Sequence, residues 1–379
     1  MKAGIFMELS ENQSQALSQV ENWFLKKEKP IFRLFGYAGT GKTTLAKYFA
    51  EKLDTKVCFA AYTGKAAQVL RMKGAFNAST IHSLIYKHVG GNEIISSASG
   101  KKIFEPSFIL NRDSELTKSG LVIIDECSMV DKKLGEDLLS FGVPVLVLGD
   151  PGQLPPIVGG GFFTNHKADV QLTEIFRQDS DNVIIYFSKL AREGKEFEYG
   201  DYGDVKVIRR SDLTKEMVLE ADQILVGTHK TKNMYNARIR EHLGFDDVFP
   251  VVGDKLVAQR NNWQKGLLNG SSWRVMQCSI PSTKSYINLL VLGEYEDNTT
   301  VKIKLLKDQF ENRDEEIPWQ IKRNFDDFDY GYALTVHKAQ GSQWDNVMIF
   351  DESRAFRQEK EKWLYTGITR AAKSLTIVR

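Results

Sequence analysis

The segment Gly36-Tyr37-Ala38-Gly39-Thr40-Gly41-Lys42-Thr43-Thr44 has the spacing of a phosphate loop, G-x-x-x-x-G-K-[ST]. It admits few folds, because such a loop works only at the end of a buried strand and the start of a helix. Both flanks supply this. Ile31-Phe32-Arg33-Leu34-Phe35 is an apolar run of strand length, and Leu45, Phe49 and Leu53 recur on one face of a helix. Glycines at 36, 39 and 41 let the backbone point its N–H groups inward at phosphate oxygens. The helix beginning near Lys42 brings its positive end to the same point. Lys42 would reach the β- and γ-phosphates of a nucleotide, with Gly39, Thr40, Gly41 and Thr44 completing the cradle. The Thr43 hydroxyl would hold Mg²⁺. ATP and Mg²⁺ are therefore the expected cofactors.

Such a loop needs an acidic partner on a neighbouring strand, and Leu121-Val122-Ile123-Ile124 is a fully apolar run ending in Asp125 and Glu126. Asp125 would complete the Mg²⁺ shell, and Glu126 would polarise the attacking water as general base. A further apolar strand, 143–148, runs into Gly149-Asp150-Pro151-Gly152-Gln153, where the Gln153 amide would sense the γ-phosphate. An N-terminal helix is expected over 8–29, with Ser10 as cap and Ala16, Val20, Trp23 and Phe24 as its apolar stripe. Gln13 on that helix offers a donor and an acceptor, which suits the N6 and N7 edge of adenine.

Other stretches suit a polymer with a phosphate backbone. A strand over 56–61 leads to Thr63-Gly64-Lys65 at the head of a helix carrying Val69 and Leu70, and Ser79–Leu84 adds Thr80 and His82. Hydroxyls and cations bind phosphates without reading bases. Residues 85–120 break the pattern with a two-stranded hairpin around a polar turn, inserted in the α/β order. Phe104 or Phe108 on it would stack on a base, or would simply pack the hairpin down.

The second half starts another α/β region. Strands are expected over 204–208 and 221–226, and Thr228-His229-Lys230-Thr231 opens a helix through Tyr235 and Ile239. Short alternating strands around 255–259, 273–277, 286–292 and 300–305, with a turn at Asn269-Gly270, make a small β-barrel-like insertion. Helix is expected again over 330–338 and 359–372, with strands over 346–350 and 375–378.

Bulk charge does not decide the partner. Lys plus Arg total 51 and Asp plus Glu 49 in 379 residues, a net charge of +2, so a nucleic-acid path must be a local basic groove. Cys58, Cys127 and Cys278 are odd in number with no C-x-x-C, and the histidines lack ligand spacing, which fits reduced thiols in a reducing, cytoplasmic setting. The first ten residues are not those of a signal peptide, and no apolar run is long enough to span a bilayer, so no membrane partner is expected. No carboxylate cluster beyond the nucleotide site supports a nuclease.

Taken in order, these blocks resemble a superfamily 1 DNA helicase, and more narrowly the RecD-like branch (superfamily 1B) that includes the phage Dda helicases. The most diagnostic stretches are Tyr332-Ala333-Leu334-Thr335-Val336-His337-Lys338-Ala339-Gln340-Gly341-Ser342 and Tyr365-Thr366-Gly367-Ile368-Thr369-Arg370-Ala371. The resemblance implies an α/β protein of two RecA-like parallel-sheet lobes with ATP between them. Lobe one would take residues 1–84 and 113–180, with the hairpin insertion at 85–112. Lobe two would take 181–244 and 329–379, with an SH3-like β insertion at 245–328. It implies that Arg177 and Arg370 are arginine fingers, a role worth about 10³–10⁵ in rate in phosphoryl transfer. It also places Thr63, Lys65, Thr80, His82, Thr228, His337 and Lys338 along a single-strand track. The chain departs from the family at Gln343, where glutamate is common; the amide can still donate and accept toward the nucleotide but carries no charge. The implied activity is ATP-dependent, 5′-to-3′ translocation on single-stranded DNA with unwinding at single-strand/duplex junctions. A monomer is expected, with replication or recombination proteins as partners. Two rivals use the same motifs: a translocase that separates strands poorly, and a nucleotide-gated DNA-binding subunit. The presence of Lys42, Asp125, Glu126 and Arg370 argues against the second.

Overall fold

The computed structural model of the protein describes residues 9–95, 102–155, 161–174, 182–262, 265–294, 299–311 and 317–379. By Cα proximity the chain divides into two compact units. The first comprises residues 1–62, 66–86 and 110–195; the second comprises 63–65, 87–109 and 196–379.

The first unit is built on a parallel sheet in the order Ser79–Thr80, Val57–Ala61, Leu121–Asp125, Val145–Gly149, Ile31–Gly36 and Val170–Leu172. Its strands are apolar at successive positions because both faces are covered. Leu34, Ile123, Leu146 and Leu148 face a core with Val20, Trp23, Phe49 and Leu70 from three helices. Phe35, Val122, Ile124, Val145 and Val147 face the opposite core with Ile81, Leu134, Leu138 and Phe163. Each such side chain contributes roughly 1.5–3 kcal/mol on burial. The strand expected from 143 starts at Val145, because Pro144 has no N–H to give the ladder; its carbonyl accepts from the Val122 N–H instead. The parallel register brings four strand ends to one edge, with Ala61 beside Asp125 and Phe35 beside Gly149. In an open parallel sheet that carboxyl edge is where ligands bind.

The second unit holds another sheet, Ala333–Thr335, Gln223–Val226, Trp344–Phe350, Ala371–Val378, Val205–Ile208 and Gly200–Asp201, parallel except for its last pair. It also holds a five-stranded antiparallel sheet, Thr300–Leu306, Tyr286–Gly293, Ser272–Ser279, Lys255–Ala258 and Phe328–Tyr330. Four of these strands lie where alternation in the sequence put them; the fifth, Phe328–Tyr330, was not expected. A buried ion pair ties this sheet to the helix His229–His242: Arg240 meets Asp254 through Nε at 3.0 Å and Nη2 at 3.1 Å. Arg240 also donates to the carbonyls of Asp247 and Phe249, and Asp254 accepts from Tyr332 Oη at 2.9 Å.

The helix expected over 330–338 is not formed. Ala333, Leu334, Thr335 and Val336 are all buried in succession, which a half-exposed helix cannot arrange; Ala333–Thr335 is instead a strand beside Gln223–Val226. The Asn236 amide fixes it, accepting from the Ala333 N–H at 2.8 Å and donating to the carbonyls of Tyr330 and Ala333. Among the described residues the hairpin is two long strands, Tyr86–Ile95 and Lys102–Leu110. The chain enters and leaves it from the first unit, but residues 87–109 group with the second.

Candidate functional site

The phosphate loop follows Ile31–Gly36, and the helix Lys42–Lys52 starts at once after it. Gly39 and Gly41 stand at φ 76° and 78°, in the left-handed region where a side chain is strained. Lys42 Nζ donates to the carbonyls of Gly36 at 2.7 Å and Tyr37 at 2.9 Å, so the ammonium lies within the loop. Thr43 Oγ1 donates to Asp125 Oδ2 at 2.8 Å, joining the two motifs across 82 residues of sequence. Burial, with the adjacent Glu126 charge, pushes the Asp125 carboxyl above the usual range, while the Thr43 bond pulls it down. Asp125 Oδ1 also accepts from the Glu126 N–H. Glu126 sits at φ 51°, a left-handed backbone in a non-glycine residue, as happens at sites where geometry is over-determined. Behind the acids, burial keeps the Cys127 thiol well above its usual range and therefore neutral.

Gln13 is 3% exposed, and its amide is already employed. Oε1 accepts from the Ser10 N–H at 3.1 Å, closing a capping box, and Nε2 donates to the Thr40 carbonyl at 3.2 Å. The S-x-x-Q spacing of that box was legible; the second bond, to the phosphate loop, was not. Gln153 is buried beside the turn at Asp150, and its Oε1 has no hydrogen-bond partner among the described residues, so an acceptor stands ready there. Arg192 was not singled out by the sequence; its guanidinium lies over the Tyr37 ring, 3.5 Å from the centroid. Arg177 and residues 175–181 lie outside the described residues.

Of the expected strand-contacting residues before residue 110, His82 is exposed, its ring 6.0 Å from that of Tyr62 and 5.8 Å from that of Tyr86. Thr80 is buried; its hydroxyl accepts from the Ser83 N–H and caps the helix Ile81–Ile85. Thr63 is half-buried and Lys65 is 7% exposed. Phe108 is 57% exposed, and the Phe104 side chain lies outside the described ones. Later in the chain Thr228 caps the helix His229–His242 and is exposed, as are Lys338 and Gln343, while His337 is half-buried. Arg370 is buried, donating from Nε to the Thr366 carbonyl, from Nη1 to the Ser342 carbonyl and from Nη2 to Thr369 Oγ1. Among the described residues no group of His, Cys, Asp and Glu could hold a metal by itself. The Thr43 hydroxyl and the Asp125 carboxylate are the oxygens that would hold a Mg²⁺ beside nucleotide phosphates.

The family model of an AAA domain matches residues 8–212, and that of a UvrD-like helicase C-terminal domain matches residues 330–378. The chain belongs to the superfamily 1B helicases. Among curated relatives, this superfamily 1B helicase is 26% identical to the ATP-dependent RecD2 DNA helicase of Deinococcus radiodurans, over 96% of this chain and 48% of that protein. It thus spans about half the length of that relative. It is also 26% identical to the ATP-dependent DNA helicase dda of Enterobacteria phage T4, over 96% of this chain and 98% of the phage protein. A solved Bacteroides Pif1 bound to ssDNA superposes with a TM-score of 0.57 at 22% identity, over 98% of this chain and 92% of that one. Pif1 helicase from Candida albicans does so with 0.55 at 18% identity, over 99% and 95%. These two likenesses speak to the fold, and agree with two parallel α/β sheets in the helicase.

The loop geometry makes one substitution informative. A Cβ at residue 41 would stand 2.7 Å from Gln13 Nε2, on top of a φ of 78°. Gly41→Ala is expected to cost about 1–2 kcal/mol and to weaken nucleotide binding about tenfold (RT ln 10 is ~1.4 kcal/mol). Thermal unfolding and titration with a non-hydrolysable ATP analogue check this. A wild-type midpoint and affinity would mean the loop does not hold this conformation.

Proposed function

We propose that this chain is an ATP-dependent DNA helicase that moves 5′ to 3′ on single-stranded DNA and couples hydrolysis to separation of the duplex ahead. The observation that carries the reading is the Thr43–Asp125 hydrogen bond at the carboxyl edge of the first sheet, with Lys42 Nζ held in the loop beside it. The two curated relatives described above are ATP-dependent DNA helicases by name, and a structural neighbour holds ssDNA.

In this reading Lys42 leaves the carbonyls of Gly36 and Tyr37 for the β- and γ-phosphates. Thr43 and Asp125 would hold Mg²⁺, which would neutralise charge on the phosphate oxygens. Glu126 takes the proton of the attacking water, and its backbone position, fixed by the bond to Asp125 Oδ1, sets the direction of attack. The buried acceptor of Gln153 orients that water or senses the γ-phosphate. Arg370, with Arg177, stabilises the charge that develops on the transferring group. The single strand is held by backbone contacts from His82, Thr228, His337 and Lys338. Thr63, Lys65 and Thr80 act mainly by shaping these segments, since two of the three are buried. The hairpin, with Phe108 exposed on it, meets the fork. The protein works as a monomer inside the cell, in replication, recombination or repair. Free thiols at Cys58, Cys127 and Cys278 are consistent with such a setting, and among the described residues no helix is long and apolar enough to cross a membrane.

Forked substrates with a single 5′ or a single 3′ tail test the proposal. With ATP and Mg²⁺, unwinding is expected from the 5′ tail only, and Lys42→Ala should abolish it. Unwinding from the 3′ tail alone would reverse the polarity. Failure on both, with ATPase still stimulated by single strands, would leave a translocase that does not separate strands.

A further inference from the structure

Glu352 belongs to none of the motifs above, yet it sits where two of them meet. It follows the strand Trp344–Phe350, and its carboxylate is turned onto the segment at the end of Gln223–Val226. Oε2 accepts from the Gly227 N–H at 2.6 Å and the Thr228 N–H at 3.3 Å, and Oε1 accepts from Thr231 Oγ1 at 2.7 Å. Gly227 is pressed against it: a Cβ there would stand 2.9 Å from both Glu352 Cβ and the Phe356 ring. Phe356, one turn further on, stacks on buried Trp363 with centroids 5.4 Å apart and planes at 14°. The His337 ring also lies beside it, with centroids 5.6 Å apart. The same turn carries Arg357 at φ 45°, a left-handed backbone in a non-glycine residue. One short segment, 352–357, therefore touches both the Gly227–Thr231 loop and His337.

The arrangement also decides what the head of the helix His229–His242 can do. The N–H groups of Gly227 and Thr228 are the donors that a strand-end and helix start would offer a phosphate, and Glu352 holds both. The N–H of Thr231 is taken by the Thr228 hydroxyl. Binding to a phosphate chain must then come from side chains around this point, of which His229, Lys230 and Lys338 are exposed. Those side chains are useful only if the two segments that bear them stay in register.

We infer that Glu352 is a positioning residue for the single-strand track, bracing the 227–231 loop while Phe356 braces His337, so that the neighbouring Lys230 and Lys338 meet consecutive phosphates. The inference rests on the single-stranded-DNA reading above. Removing the brace should reduce the number of phosphates engaged at once, which is read from the salt dependence of binding: for single strands log K falls with log salt by about 0.7 per phosphate neutralised.

The test measures binding of a fluorescent oligothymidylate across a salt series for the wild type, Glu352→Ala, Glu352→Gln and Thr231→Val. In Glu352→Ala, affinity at low salt should fall by roughly tenfold, and the slope should become shallower by about 0.7 for each phosphate no longer engaged. Glu352→Gln keeps an acceptor for the loop N–H groups and should recover most of both. Thr231→Val, which removes the bond to Glu352 and the one to the Thr228 hydroxyl but keeps the N–H that Thr228 caps, should fall between. DNA-independent ATP turnover should not change in any of them. A slope and affinity equal to wild type in Glu352→Ala and Thr231→Val would overturn the inference. So would tighter binding by Glu352→Ala, which would make the carboxylate a repulsive charge beside the strand. If Glu352→Ala does not fold, Thr231→Val and Phe356→Leu decide by the same slopes. A wild type that binds ATP but not the oligonucleotide would instead remove the single-strand reading itself.

Discussion

Asn in place of Asp125 is expected to lower ATP turnover by about 10²–10³-fold, the scale seen when one preorganised electrostatic group is removed, and to make the protein more stable. The two results have one cause. Asp125 is buried with Glu126 next to it, and both effects push its carboxyl toward the neutral form. Ionising it in the folded protein works against burial and the neighbouring charge, and the bond from Thr43 only partly offsets this. A carboxyl raised in the folded state adds stability at low pH and loses it as pH rises through its folded value, so an uncharged isostere removes that loss. Asn can offer its oxygen to the Glu126 N–H and donate its NH2 to the Thr43 hydroxyl, and should raise the unfolding free energy by about 1 kcal/mol at pH 8. Thermal unfolding and a coupled ATPase assay read the two effects. In wild type, Mg²⁺ with a non-hydrolysable analogue should raise the midpoint further, and in Asp125→Asn that increment should vanish. A midpoint below wild type, or turnover within tenfold of it, would contradict the assignment of Asp125.

Asp254→Ala should be far more damaging to the fold. It leaves Arg240 buried without its partner, and breaking a buried pair from one side costs about 3–5 kcal/mol. The loss also strands Tyr332 Oη and the Val251 N–H, both of which use Asp254 as acceptor. Asp254→Asn, which keeps an acceptor, should cost less. Trp273, buried in the five-stranded sheet, offers a local fluorescence probe, so denaturant unfolding followed there should show a midpoint shift in the second unit. An Asp254→Ala protein within 1 kcal/mol of wild type would show that the Arg240 charge finds other partners; the carbonyls of Asp247 and Phe249 are the ones it already has (the 1 kcal/mol bound is the usual scale of one hydrogen bond).

The frame of this protein was legible because its strongest signals are forced by burial. A strand covered on both faces must be apolar throughout, so Leu121–Asp125 could be read, and the acid ending it had to face the phosphate loop. Alternation located four strands of the antiparallel sheet for the complementary reason, with residues such as Leu289 and Val291 buried between less buried ones. Ala333–Thr335 defeated the same reasoning: a three-residue strand is too short to show a period, and its place depends on Asn236, almost a hundred residues earlier. Side-chain roles were harder still. Lys65 and Thr80 have the chemistry of phosphate ligands, but neither residue type nor spacing reveals that both are buried. Glu352 carries no local signal at all, since its three partners are set by how two parallel strands end side by side.

The pairing of Ile224 with Ala333 joins positions about a hundred residues apart, and Leu256 pairs with Tyr330 inside that interval. The antiparallel sheet thus lies wholly between the two parallel neighbours and has its own ends in contact. If it condenses first as the chain leaves the ribosome, the segment still to be closed shrinks to roughly a third, which lowers the loop-closure cost by about 1 kcal/mol. Until then Gln223–Val226 stays without this neighbour on one edge, and an unpaired edge invites association with other chains. On that order, synthesis and assembly match in the second unit, and a circularly permuted chain that reversed them should refold more slowly and aggregate more readily.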